Sequence, residues 1–161
     1  MAFSTSLLDL PASSIKDRWI LDSSSSVHVC NDRSRFVDLS TCQHSLSTGD
    51  GKTSVIGQGI ARLHGIDPIT RKKKVITLSN VYYAPGFHVN LVSYARLKEK
   101  GGHWSEEAGY IEYHNAIPIV SLKLGNSAGL WVFDQPGRAP IRTANAVRSS
   151  SSPKQSAASA E

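Results

Sequence analysis

Short stretches of apolar residues, often alternating with polar ones, recur along this chain between closely spaced turn signals. Trp19-Ile20-Leu21 is an apolar run that stops on Asp22 and then on four serines, Ser23 to Ser26. Residues 27–30, 42–46 and 55–64 read as further short strands, and Gly57 and Gly59 within the last mark a bulge or a close backbone approach. Between the last two, Gly49-Asp50-Gly51-Lys52 has the turn chemistry of a tight hairpin tip. Residues 75–83 are rich in β-branched and aromatic side chains (Val75, Ile76, Thr77, Val81, Tyr82, Tyr83), and Pro85-Gly86 ends them. Only 91–100 carries a helical signature. Asn90 is a suitable cap, Leu91, Tyr94 and Leu97 recur at helical spacing, and Gly101-Gly102 supplies the stop. Strand-like segments resume at 103–105, 110–114, 117–124 and 130–133.

Many short strands, frequent turns and one helix predict a mainly β fold, a small barrel or sandwich. A doubly wound α/β fold would need helices that the pattern lacks. The body spans 18–135. Residues 1–17 read as an extended lead-in, and 136–161, dominated by Ser, Ala, Pro and Arg, as a flexible basic tail or linker.

At 161 residues with 40% apolar content, the chain has room for one domain with a real core. It contains no run of 18 apolar residues that would span a bilayer, and its first residues lack the basic start of a secretory signal. Cys30 and Cys42 are too few for a disulfide framework, so a reducing, cytoplasmic setting is expected. The formal charge is +5. In the tail, Arg138, Arg142, Arg148 and Lys154 against Glu161 give +3, leaving +2 for the body. The run Arg71, Lys72, Lys73 and Lys74 alone exceeds that. A solvated loop explains such a run; with the tail, it would offer nucleic acid at most weak, non-specific, salt-sensitive contact.

An apolar strand that ends on a carboxylate must satisfy that charge, because burying it unpaired costs several kcal/mol. Serine hydroxyls and loop amides can do so locally, and a plain surface Asx turn would look the same. The wider pattern points further. Trp19-Ile20-Leu21-Asp22-Ser23 with His28, then Gly49-Asp50-Gly51, Gly57-x-Gly59, Asn80-Val81-Tyr82-Tyr83-Ala84-Pro85, Asn90-Leu91-Val92-Ser93 and Gly129-Leu130-Trp131-Val132-Phe133 follow in order. Over about 18–134 this set resembles the protease domain of copia-type retrotransposon Pol polyproteins, also described as a transposon Pol β-barrel domain.

That resemblance implies a retropepsin-like β-barrel and aspartic endopeptidase activity on polyprotein peptides, with no metal and no cofactor. Such hydrolysis needs two carboxylates sharing a proton. The chain has one Asp-Ser motif, so the resemblance implies a homodimer with Asp22 from each copy and an inert monomer. Ser23, Ser24 and Ser25 would form the supporting loop, and Gly49, Asp50, Gly51 and Lys52 the flap over bound peptide. The departure is Ser24, where the family has glycine; a Cβ there would crowd the site if the loop needs glycine's freedom. A catalytically silent assembly or nucleic-acid-contacting barrel is the alternative function. A second constellation, His28-x-Cys30 with Cys42-x-His44, could in principle offer zinc four ligands, but structural zinc sites space ligands differently.

Overall fold

The computed structural model describes residues 16–114, 117–125 and 129–136. Most of the lead-in and of the tail therefore lies outside the described residues. Among them are ten strands and one short α-helix. The strands are β1 (Trp19–Asp22), β2 (His28–Cys30), β3 (Phe36–Thr48), β4 (Gly51–Ile66), β5 (Lys73–Tyr83), β6 (Asn90–Ser93), β7 (Gly102–Ser105), β8 (Tyr110–Tyr113), β9 (Ile117–Gly125) and β10 (Leu130–Phe133). The helix α1 is Tyr94–Glu99, and a 3-10 turn, Arg33–Arg35, precedes β3.

The strands form one continuous sheet in the order β3-β4-β5-β2-β6-β1-β10-β9-β8-β7. It curls on itself into a barrel-like body. The curl brings β4 against β9 so closely that a Cβ on Gly65 would lie 2.5 Å from Cγ2 of Val120. Side chains alternate across the sheet, so each strand feeds two apolar layers. Trp19 and Leu21 join Cys30, Leu63, Val92, Ile111 and Phe133 in the larger core. Ile20 joins Val29, Val55, Phe87, Val89 and Leu91 in the smaller one.

The long hairpin β3–β4 turns at Gly49-Asp50 as expected, and bulges punctuate its ladder at Phe36/Asp38 and Thr41/His44. A third irregularity separates Gly59 from Ala61 against β5, where residues 79 and 80 stand opposite residue 60. Asn80 takes the left-handed backbone there, φ 55, which asparagine tolerates better than most residues. The glycines expected to mark a close approach do so.

One expectation needs correcting. Asn90 does not cap a helix and Leu91 is not in one, because 90–93 is the strand β6 and the cap is Ser93, whose Oγ accepts from Arg96 N. Local spacing suited a helix, but tertiary pairing overrides it. β6 pairs in parallel with β1 and antiparallel with β2, filling the gap between two strands that do not pair with each other. This insertion positions the site.

Candidate active site

β1 and β2 flank β6, so the segment joining them, 23–27, must cross over the C-terminal end of β6. Trp19 pairs with Asn90 and Asp22 with Ser93, which sets Asp22 beside the residue where β6 gives way to α1. Asp22 therefore sits at a strand-to-loop junction, on the same face of β1 as Ile20.

Its carboxylate is held from one side only. Oδ1 accepts from the Ser24 backbone N–H at 2.9 Å and from the Ser24 hydroxyl at 2.8 Å. Oδ2 is buried and has no hydrogen-bond partner among the described residues. A buried carboxylate oxygen left unpaired is costly and needs an explanation beyond a surface turn.

The rest of the loop is fastened from beneath. Ser25 is buried; its hydroxyl donates to Val27 O at 2.7 Å, and its carbonyl accepts from the Ser93 hydroxyl at 2.6 Å. Arg96 Nε donates to Ser26 O at 3.1 Å. Ser23 and Ser24 remain exposed at the mouth. The three serines thus divide the work: Ser24 binds Asp22, Ser25 anchors the loop, and Ser23 faces solvent. The backbone of Ser24 has no positive φ; among the described residues, Arg71, Asn80 and His114 are the non-glycine residues that do.

His28 is the residue whose part the motif alone did not reveal. It is 3% exposed, and its Nδ1 accepts from the Ser93 N–H at 2.9 Å. Burial, followed by the charges of Arg96 and Lys100, lowers its pKa to about 4, so the ring is neutral at physiological pH.

The hairpin tip lies elsewhere in the register. Gly49 and Asp50 form the turn, Gly51 takes φ 139, and Thr48 Oγ1 donates to Gly51 O. Leu46 and Val55, near the tip, pack with Ile20 and Leu91, on the face of β1 that carries Asp22. The tip itself is close to His88, where Asp50 partly offsets the lowering of the imidazole pKa by burial. Among the described residues, no hydrogen bond joins 49–52 to 22–26. The residues that flank the candidate flap thus pack on the face of β1 that carries Asp22, while the tip itself is exposed.

The two Cys/His pairs separate. Cys30 lies in the larger core and Cys42 against the smaller one, and burial pushes the Cys30 thiol up to about 11, which disfavours the thiolate a metal would need. The basic run is also less free than its composition suggests. Arg71 bonds Ser121 Oγ and Asp134 Oδ2, both at 2.8 Å, and Lys74 pairs with Asp67 at 3.4 Å. Lys72 and Lys73 have no such ion pairs among the described residues, and both lie exposed on the surface.

A family model described as Pol polyprotein, beta-barrel domain, matches residues 19–102, slightly over half of the chain. The chain belongs to this family. The match runs from β1 through α1 to the first residue of β7, so this Pol β-barrel domain includes the Asp22 loop, the β3–β4 hairpin and β6. The strands after Gly102, which complete the curl, lie beyond it. Searches of curated proteins and of solved structures returned no match. None of the helices among the described residues is long and apolar enough to cross a membrane.

Proposed function

We propose that this domain is an aspartic endopeptidase of a copia-type Pol polyprotein, active as a homodimer in which each copy supplies one Asp22. The observation that carries the reading is the asymmetric Asp22 carboxylate. Oδ1 is fixed by Ser24 while Oδ2 is buried with no partner among the described residues. A second carboxylate brought across a two-fold axis, sharing one proton with the first, would give that oxygen its missing partner.

The chemistry then follows. The ionised carboxylate takes a proton from a water as the water oxygen attacks the peptide carbonyl carbon, and the protonated one donates to the carbonyl oxygen. Collapse of the tetrahedral intermediate breaks the C–N bond, with a proton passing to the leaving nitrogen. The β3–β4 hairpin is the element we assign to cover bound peptide, which requires its tip to move from His88 toward the Asp22 loop. A reducing, cytoplasmic setting suits the thiols of Cys30 and Cys42.

The test is cleavage of polyprotein-derived peptides at mildly acidic pH, with sedimentation to follow the dimer. Specific activity is expected to rise with protein concentration and to vanish in Asp22→Asn. Cleavage by the Asp22→Asn variant at the wild-type rate would overturn the mechanism. Absence of cleavage in a demonstrated wild-type dimer would leave a silent barrel.

A further inference from the structure

We propose that His28 is the positioning residue of the Asp22 loop, acting through Ser93. The assignment rests on the endopeptidase reading of Asp22 and adds a residue that reading does not require. β2 pairs with β6 only at Val29 and Leu91. The next antiparallel partner of Ser93 would be residue 27, but by then the chain has turned into the loop. The Ser93 N–H is thereby left facing β2 with no ladder acceptor, in a residue fully removed from solvent. A buried orphan N–H is rarely tolerated. The imidazole Nδ1 of His28, 2.9 Å away, takes the place of the missing backbone carbonyl.

That bond fixes more than one donor. Ser93 Oγ donates to Ser25 O at 2.6 Å and accepts from Arg96 N at 3.2 Å, so one serine caps α1 and holds the loop. With its N–H clamped by His28, Ser93 cannot turn without breaking both. The path runs from His28 Nδ1 to Ser93 N–H, from Ser93 Oγ to the Ser25 carbonyl, and from there one residue back to Ser24, which grips Asp22 Oδ1. An acceptor on Nδ1 requires the ring proton to sit on Nε2, the neutral tautomer that a buried site favours.

The geometry also specifies a rescue. The side-chain oxygen of asparagine stands where Nδ1 stands, bonded to Cγ, so His28→Asn keeps an acceptor while His28→Leu removes it. Wild type, His28→Leu and His28→Asn are compared in two measurements. In hydrogen exchange, the amides of Ser93 and Ser24 are expected to exchange faster in His28→Leu by about an order of magnitude, the worth of one ordinary hydrogen bond. They are expected to stay near wild type in His28→Asn. In peptide turnover at matched dimer fraction, His28→Leu is expected to lower kcat by roughly 10- to 100-fold, as a small misplacement of a catalytic group does, with KM little changed. His28→Asn is expected to recover most of it.

Wild-type exchange at Ser24 in the leucine variant, or an asparagine variant no better than leucine, would overturn the assignment. If His28→Leu fails to fold, the asparagine variant decides alone, because loss of Ser93 and Ser24 protection in it would overturn the proposal. If wild type shows no Asp22-dependent cleavage, the endopeptidase reading falls, while the exchange measurement still decides whether His28 positions the loop.

Discussion

Gly59 lies so close to Asp38 that a Cβ on it would stand 1.9 Å from the Asp38 carbonyl oxygen. The contact is backbone against backbone, so no side-chain rotation relieves it. Gly59→Ala is therefore expected to force apart the β3–β4 ladder at its bulge, destabilising the domain by about 1–3 kcal/mol, the usual range for overpacking, or more. Gly57→Ala is the comparison. Its closest contact is the Leu39 Cδ1 at 2.9 Å, the far end of a side chain that can move. Denaturant unfolding of both variants should show the larger loss at residue 59.

The buried imidazole of His28 makes stability depend on pH in a defined window. Its folded pKa is lowered to about 4 from 6.5, first by burial and then by Arg96 and Lys100. The unfolded chain accepts a proton below pH 6.5 while the folded one refuses it. This contribution is thus fully present above 6.5 and is lost as pH falls toward 4, on the order of 3 kcal/mol in all. His28→Asn, which cannot titrate, should unfold with a flatter pH dependence between 4 and 6.5. An unchanged slope would mean that other groups set it.

Asp134 ties β10 to the β4–β5 loop. Burial would raise its pKa, but hydrogen bonds from Arg71 and Lys123 outweigh that and hold the carboxyl below its ordinary value. A depressed carboxylate pKa stabilises above the unfolded value and loses that effect as pH falls through the folded one. Asp134→Asn should therefore be less stable than wild type at pH 7 and converge with it in strong acid. The gap at pH 7 should narrow with added salt, since both cations are more than half exposed.

How much of this was legible in the residues depended on whether local and long-range forces agreed. Trp19 to Leu21 and the hairpin turn at Gly49-Asp50 were readable because propensity, pattern and pairing coincide there. At 90–93 they conflict. Asn90, Leu91 and Tyr94 suit a helix locally, yet the slot between β1 and β2 holds 90–93 in a strand. The Asp22-Ser24 contact could be expected from chemistry at short range. The His28-Ser93 bond could not, since its partners are 65 residues apart and meet only through the crossing of β6. Likewise, Arg71 reads as a free charge until Asp134, 63 residues on, is beside it.

Nucleic-acid contact through the basic run, if it occurs, should come from half of that run. Lys72→Ala with Lys73→Ala is expected to reduce the salt slope of binding by about two, one for each phosphate no longer neutralised, without affecting stability. Arg71→Ala should instead lower stability, because it removes the bond to Ser121 Oγ and leaves Asp134 with Lys123 alone. Equal weakening of binding by Arg71→Ala in a fully folded protein would show that the ion pair opens on the ligand.

Ser24 stands where the resemblance implies a glycine, and the structure changes what a serine there means. Glycine would be required for a positive φ, and Ser24 does not have one. Its side chain faces solvent in the single chain and gives Asp22 Oδ1 a second hydrogen bond at 2.8 Å. With the backbone N–H bond at 2.9 Å, the hydroxyl fixes the orientation of the carboxylate from two donors of one residue. Ser24→Gly keeps the backbone N–H bond to Asp22 but removes the hydroxyl. Within one chain the expected result is a more loosely held carboxylate and lower turnover, as a small misplacement of a catalytic group gives. Crowding by a partner copy would act in the opposite sense. Relief of about 1–3 kcal/mol of strain would raise turnover roughly 5- to 150-fold. Peptide turnover of the two forms at matched dimer fraction separates the cases: a rise on restoring glycine means the hydroxymethyl group obstructs the dimer. A fall means that Ser24 is part of how this site holds its aspartate.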